Sequence, residues 1–270
     1  MNEPMVFATR LALQAGNLLR KFYNPAGFQA SQKSDHSVVT EADLAADRLI
    51  TDSIHEHYPN DEIISEESSH RLTNTLSPIW IIDPLDGTTN FSQGLSIWGV
   101  SIARAVDGYP VLGVIYFPMI NELYTASRGT GAFLNQHSIA TRAPDPAQPM
   151  SFFACCSRSF RYYDISIPYK PRIMGSCAYS LCMVARGSAL LGFDATSKIW
   201  DLAAGWILIE ESGGKIAAFE GSPPFPVSSK ESDIQTSYPT LAAATPEVFA
   251  LGQKKIKRKS KFAIVVQREV

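Results

Sequence analysis

The sequence predicts a layered α/β protein, and three observations carry that expectation. Amphipathic stretches at three-to-four spacing occupy the N-terminal segment, short apolar runs suited to strands fill the middle, and strand-like and helix-like segments recur beyond a proline-rich break. With 45% hydrophobic and 19% charged residues over 270 positions, the chain can bury a sizeable core, as one large domain or two tightly joined ones.

Asn2-Glu3-Pro4 starts a helix, with Phe7, Leu11, Ala15, Leu18, Leu19 and Phe22 on one stripe and Asn24-Pro25 ending it. Thr40 to Tyr58 is a second amphipathic helix, with Leu44, Asp47, Ile50, Ile54 and His57 alternating with a charged face. Ile63-Ile64 is a short strand entering Ser65-Glu66-Glu67. Trp98 to Ala105 and Val111 to Phe117 are strands joined by Asp107-Gly108-Tyr109-Pro110, and Glu122 to Ala126 and Gly131 to Leu134 continue the pattern. Ala143 to Pro149 is the expected linker. Beyond it come strands near Phe152–Cys155 and Arg172–Met174, a helix Ala178–Arg186 and a strand Leu190–Phe193. A last helix, Asp201–Ser212, is closed by Gly213-Gly214. The expected divisions are 1–145 as an N-terminal α+β half, 146–252 as a C-terminal α/β half and 253–270 as a basic tail.

The most informative stretch is Ile79 to Phe91. Its apolar run Ile79–Ile82 reads as a buried strand ending at Asp83. Asp83 and Asp86 then flank Pro84-Leu85, and Gly87-Thr88-Thr89-Asn90 follows with amides and hydroxyls to spare. Hard oxygen ligands this close suit a divalent cation such as Mg²⁺. A glycine-hydroxyl turn opening a helix suits a phosphate. Metal and phosphate in one turn point to phosphoryl chemistry. Three further acids stand at element ends: Glu66 after a strand, Asp201 at the start of a helix, and Asp43 beside Thr40. Taken singly, Asp201 is an N-cap, Glu66 a solvated loop acid, Asp43 a first-turn helix acid, and Asp83 and Asp86 turn formers.

Other classes are disfavoured. No apolar run approaches the roughly 18 residues a membrane helix needs, and Met1 to Phe7 lacks a basic n-region, so a cytoplasmic location is expected. Cys155, Cys156, Cys177 and Cys182 have no CxxC pairing and read as buried reduced thiols. His36, His55, His57, His70 and His137 show no ligand spacing. The net charge of −2 hides +6 on residues 254–270, which leaves −8 on residues 1–253, a poor nucleic-acid binder. Lys254 to Lys261 reads as a solvated segment, the one hint of attraction to nucleic acid or an anionic surface.

The chain resembles the inositol monophosphatase family of Mg²⁺-dependent, lithium-sensitive phosphatases. Asp83 to Phe91 is similar to its first signature, and Trp200-Asp201-Leu-Ala-Ala-Gly205 with Gly213-Gly214 to its second. Val39 to Asp43 and Ser65-Glu66-Glu67 match its two remaining motifs in order and spacing, so the resemblance runs from about residue 4 to residue 250. It implies an α-β-α-β-α sandwich of the sugar-phosphatase type and two or three Mg²⁺ ions. By resemblance, Glu66, Asp83 and the Leu85 carbonyl would bind one ion, Asp83, Asp86 and Asp201 a second, and Glu66 would help hold a third. Asp43 and Thr88, with Glu66 in the catalytic set, would orient and activate the attacking water. Gly87, Thr88 and Thr89 would hold the phosphate, and Asp86, Asp194 and Asp201 would contact substrate. Ser65 stands where many members have Gly, Asp35-His36-Ser37 is similar to a stretch in relatives acting on nucleotide phosphates, and Lys198 could touch an anionic substrate or be a surface lysine.

The expected activity is hydrolysis of a small phosphate monoester by a metal-activated water, with inositol 1-phosphate first. 3′-Phosphoadenosine 5′-phosphate, histidinol phosphate and fructose 1,6-bisphosphate are the alternatives on the same scaffold. A non-enzymatic phosphate-binding role would go with a lost ligand, and Glu66, Asp83, Asp86 and Asp201 are all present. A homodimer is expected by resemblance.

Overall fold

The chain folds as five layers, helix–sheet–helix–sheet–helix, in a computed structural model that describes residues 3–26, 31–32, 38–39, 41–67, 72, 77–145, 151–228 and 231–260. Asp35-His36-Ser37, Thr40, His70, most of the proline-rich break and everything from Lys261 onward lie outside the described residues.

From the N-terminus the elements are α1 (Glu3–Phe22), β1 (Ser31–Gln32), β2 (Val38–Val39), α2 (Glu41–His57), β3 (Glu62–Ser65), β4 (Ile79–Asp86), α3 (Thr88–Ser92), β5 (Gly99–Val106) and β6 (Tyr109–Phe117). There follow β7 (Glu122–Ser127), β8 (Gly131–Leu134), β9 (His137–Ile139), β10 (Phe152–Cys155), α4 (Ser159–Tyr162), β11 (Tyr163–Ile165) and β12 (Lys170–Arg172). The chain continues through α5 (Cys177–Ala185), β13 (Ala189–Asp194), α6 (Ile199–Glu211), β14 (Lys215–Ala218), α7 (Glu231–Ile234), β15 (Thr240–Ala243), α8 (Pro246–Lys255) and β16 (Ile256–Arg258).

Seven strands form the first sheet in the order β3 to β9, antiparallel throughout except for the parallel pair β3–β4. The amphipathic helices α1 and α2 cover one face, where Leu11, Leu19, Ile50 and Ile54 meet Trp80, Ile82 and Val100. The other face meets α5 and α6 through Ile79, Ile81, Ala103 and Ile115. Successive residues of a strand point to opposite faces, so Ile79-Trp80-Ile81-Ile82 is apolar without alternation because both faces are buried. Beyond α5 and α6 lies the second sheet, in the order β12-β10-β13-β15-β14, and α8 closes its far face, clustering its Phe249 with Phe153 and Leu191.

The central helix α6 lies directly on β6 because Gly113 presents no side chain. A Cβ there would sit 2.7 Å from the Ala204 carbonyl oxygen and 2.7 Å from Ile207 Cγ2. Gly113→Ala is therefore expected to lower stability by about 1–3 kcal/mol, read as a shift in the urea midpoint at constant slope. An unshifted midpoint would show that α6 slides away without strain.

Several expectations are corrected. The inward face of α2 is Ala42, Asp43, Ala46, Asp47, Ile50, Thr51 and Ile54, while Leu44 and His57 are exposed. Small residues permit close packing against α1, and the two acids turn inward, Asp43 accepting from the Thr88 hydroxyl and Asp47 from the Ser65 hydroxyl. The strand does not stop at Asp83 but continues to Asp86 after a register shift. Asp107 (φ 51°) and Gly108 (φ 77°) alone make the β5–β6 turn, and Tyr109-Pro110 already belong to β6. The short strand placed at Arg172–Met174 is Lys170–Arg172. The basic run begins inside the fold: Lys254 and Lys255 end α8, and β16 pairs antiparallel with β11. There Arg258 is ion-paired with Glu220. No helix among the described residues is long and apolar enough to cross a membrane.

Candidate functional site

Pro84 shapes the site. It has no amide to give to the ladder, and β4 slips its register against β5 between Asp83, opposite Ser101, and Asp86, opposite Gly99. Asp83 Oδ1 accepts the Leu85 amide at 3.0 Å, which folds the bulge back on itself. Gly87 follows with φ 92°, and a Cβ on it would meet the Ile97 carbonyl oxygen at 2.9 Å. Only glycine suits that turn. It launches α3, with Thr88 and Thr89 at its start.

Three acids converge from three elements. Glu66 follows β3, held beside β4 by its amide donating to the Ile82 carbonyl at 3.2 Å. Asp83 is in β4, buried. Asp201 is the third residue of α6, not its first, and accepts the Lys198 amide at 2.7 Å. One ligand oxygen from each of Glu66, Asp83 and Asp201 lies within 4.8 Å of the others. Ligands facing each other across one Mg²⁺ stand ~4.2 Å apart at its usual ~2.1 Å bond length, so the cluster is close to the size a single hard cation requires.

The electrostatics agree. Burial, then the charges of Glu66, Asp86 and Asp201, push the Asp83 carboxyl well above the ordinary carboxylate range. Burial, then Glu66 and Asp86, does the same to Asp201. Like charges gathered in a low-dielectric place are unfavourable without a counter-charge, and a divalent cation supplies one. The donor set therefore fits a hard metal ion.

The remaining predicted residues are placed as follows. Asp43, buried in the first turn of α2, lies 3.1 Å from the Thr88 hydroxyl, which is also 3.0 Å from the Leu85 carbonyl. One hydroxyl proton serves one of these acceptors at a time. Asp86 stands outside the three-acid group. Its carboxylate accepts the Ser176 hydroxyl and the amides of Cys177 and Ala178, each amide at 3.1 Å. Burial raises it from 3.8 to about 6 against the opposing pull of those donors. Asp194 ends β13 and accepts the Thr196 amide at 2.9 Å. It lines a cavity of about 270 Å³ beside α3, together with Thr89, Asn90, Cys156, Arg158 and Cys177. Lys198 donates its ammonium to the Gln235 carbonyl.

Sequence reasoning missed several residues here. Ser176 is the N-cap of α5, accepting the Tyr179 amide at 3.0 Å, and Ser176 was a legible start signal two residues ahead of the expected helix. Asn90 bridges the Ile97 and Met174 carbonyls at 2.7 and 2.8 Å, tying α3 to the second half of the chain, and nothing local announced it. Of the four thiols, Cys155 and Cys182 are buried as expected, whereas Cys156 and Cys177 are partly exposed on the cavity. Burial and then the Asp194 carboxylate raise both cavity thiols, so they stay protonated and are poor nucleophiles. His55, His57 and His137 are exposed and apart from the site.

Comparison with known proteins agrees with this geometry. A sequence model described as the inositol monophosphatase family matches residues 1–251. The Nus factor SuhB of Escherichia coli K12 is 38% identical over 232 residues, covering 82% of this chain and 87% of that protein. Its counterpart in Salmonella typhimurium LT2 matches to the same extent. Among solved structures, the extragenic suppressor protein suhB from Bartonella henselae superposes with a TM-score of 0.78 at 27% identity, covering 94% of this chain and 98% of that one. A Thermotoga maritima IMPase superposes with a TM-score of 0.75 at 26% identity, with the same coverage.

Proposed function

The chain belongs to the inositol monophosphatase family, and from that premise we propose that it is a Mg²⁺-dependent phosphatase of small phosphate monoesters, with inositol 1-phosphate as its first candidate substrate. The observation that carries the reading is the convergence of Glu66, Asp83 and Asp201 on one cation-sized space beside a glycine-hydroxyl turn.

Glu66, Asp83 and Asp201 would hold the metal, with the Leu85 carbonyl and Asp86 at its margin. Bound Mg²⁺ would neutralise the ester dianion, acidify a water and stabilise the departing alkoxide. The chain's own groups do the rest. Asp43 and the Thr88 hydroxyl, 3.1 Å apart, form a relay that can orient a water and take its proton. The amides of Gly87, Thr88 and Thr89 would hold the phosphoryl oxygens. Asp194, at the cavity wall, would accept hydrogen bonds from substrate hydroxyls. Two or three ions per site, lithium sensitivity, a homodimer and a cytoplasmic location belong to the same proposal and rest on the family likeness.

The relatives at 38% identity are named as a factor rather than an enzyme, which favours a second reading, a binding role that needs no turnover. Phosphate release separates the two. It is measured with Mg²⁺ and again with EDTA, across inositol 1-phosphate, 3′-phosphoadenosine 5′-phosphate, histidinol phosphate and fructose 1,6-bisphosphate. Metal-dependent release from one of them is the expected result. No release from any, with the protein folded, would favour the binding role.

A further inference from the structure

We infer that the cavity beside α3 also admits phosphate monoesters carrying a second anionic group, phosphate or carboxylate, and that Arg158 holds that group. The inference rests on the phosphatase reading for the position of the reacting phosphate and deepens it by adding a second class of substrate beside the neutral monoesters.

The cavity's lining joins two groups of different character. Thr89 and Asn90 of α3 adjoin the Gly87-Thr88 turn, where the reacting phosphate would sit. The chain leaving β10 supplies Cys156 and Arg158. A molecule seated at the turn and filling the cavity therefore reaches Arg158. Among the described residues lining the cavity, Arg158 is the one basic side chain.

Its guanidinium is also uncommitted. Among the described residues, the half-buried arginines Arg104, Arg186 and Arg258 are each ion-paired, with Asp61, Glu122 and Glu220. Arg158 is exposed and its side chain makes no hydrogen bond or ion pair among the described residues. The acid that shares the cavity, Asp194, takes its hydrogen bonds from the Thr196 amide at 2.9 Å, the Cys156 thiol and the Ser197 amide instead. Arg158 exerts only a minor downward pull on that acid, which burial nonetheless leaves raised. A guanidinium presents a planar fork of donors that matches phosphate and carboxylate oxygens two at a time. Asp194 can accept from hydroxyls but repels anions, so the two residues divide the substrate: hydroxyls to Asp194, the second anion to Arg158. A monoester whose other groups are all neutral leaves Arg158 unused.

The test uses two matched pairs: fructose 1,6-bisphosphate against fructose 1-phosphate, and inositol 1,4-bisphosphate against inositol 1-phosphate. Binding to the full chain is measured by calorimetry with Ca²⁺ in place of Mg²⁺, for the wild type, Arg158→Ala and Arg158→Lys. In at least one pair the wild type should bind the bisphosphate about tenfold more tightly, ~1.4 kcal/mol. Arg158→Ala should erase that preference while leaving the monophosphate affinity within about twofold, and Arg158→Lys should recover part of it. Unchanged monophosphate binding reports that the variant is folded. No preference in either pair, absence of binding included, overturns the inference, as does a preference that survives in Arg158→Ala. Phosphate release with Mg²⁺ is scored separately. A bisphosphate preference without any release would remove the phosphatase reading and leave the Arg158 subsite standing. Release without a preference would do the reverse.

Discussion

Asp83→Asn should lower turnover on the order of 10³-fold or more while raising the stability of the metal-free protein. The two effects have one cause. Asp83 is buried among Glu66, Asp86 and Asp201, and its charge is unfavourable there without a cation. Asparagine keeps the shape and an oxygen for the Leu85 amide, now accepted at 3.0 Å, but removes the charge a cation needs. In EDTA the variant should therefore melt higher than the wild type, by about 2–4 °C for each kcal/mol relieved. Added Mg²⁺ should raise the wild-type melting temperature by mass action and leave the variant nearly unmoved. Thermal melts with and without Mg²⁺, beside phosphate release, check both halves. A variant with near wild-type turnover, or one that gains as much from Mg²⁺, would remove Asp83 from the metal site. Asp86→Asn is a poorer probe. Its carboxylate accepts three donors at the start of α5, and an amide group facing those donors adds a stability loss of about 1–3 kcal/mol.

Without metal, the protein should lose stability as pH rises from about 4, and Mg²⁺ should flatten or reverse that slope. An acid whose folded pKa lies above its unfolded value holds its proton more tightly in the folded chain. Between the two values the folded state carries more protons, so stability falls as pH climbs through the window. For Asp86 the window runs from 3.8 to about 6, on the order of 3 kcal/mol. Asp83 and Asp201 are raised further and extend the fall to higher pH. A bound cation favours the ionised forms and turns the same groups into contributors above their unfolded pKa values. Urea melts between about pH 4 and pH 8, in EDTA and in Mg²⁺, measure the slopes. A metal-free stability that rises across this range, with the same slope in Mg²⁺, would show that the acids are not gathered as described.

The residues legible beforehand were those whose chemistry is adjacent in the chain. Asp83-Pro84-Leu85-Asp86-Gly87 sets two acids and a turn within five positions, and the structure places the left-handed glycine and the helix start there, while the bulge that carries β4 on to Asp86 was not legible. Glu66 and Asp201 were legible as acids at element ends. The periodicity of α1 located Phe7, Leu11, Ala15 and Leu19 of its buried stripe but wrongly added Phe22, which is exposed, and that of α2 found Asp47, Ile50 and Ile54 but wrongly added Leu44 and His57, because small residues and Asp43 take the inward positions instead. The elements after Gly214, β14, β15, α8 and β16, gave short or mixed signals, and their pairing with β11 and β13 is long-range.

By itself, then, the sequence determined the layered class, the acid-rich turn and the hydroxyl beside it, because strand runs, helix stripes and a glycine-hydroxyl turn are local properties of the backbone. Only the tertiary structure decided which acids share a space. Parallel pairing of β3 with β4 brings Glu66 to Asp83, and α6, lying on the strand at Gly113, brings Asp201 to both. It also decided that Asp86 faces α5, that Asn90 joins the halves, and that Arg158 stands over the cavity. Those outcomes depend on how two sheets pack across two helices, and side-chain direction at a packed interface follows from contacts between segments far apart in the chain.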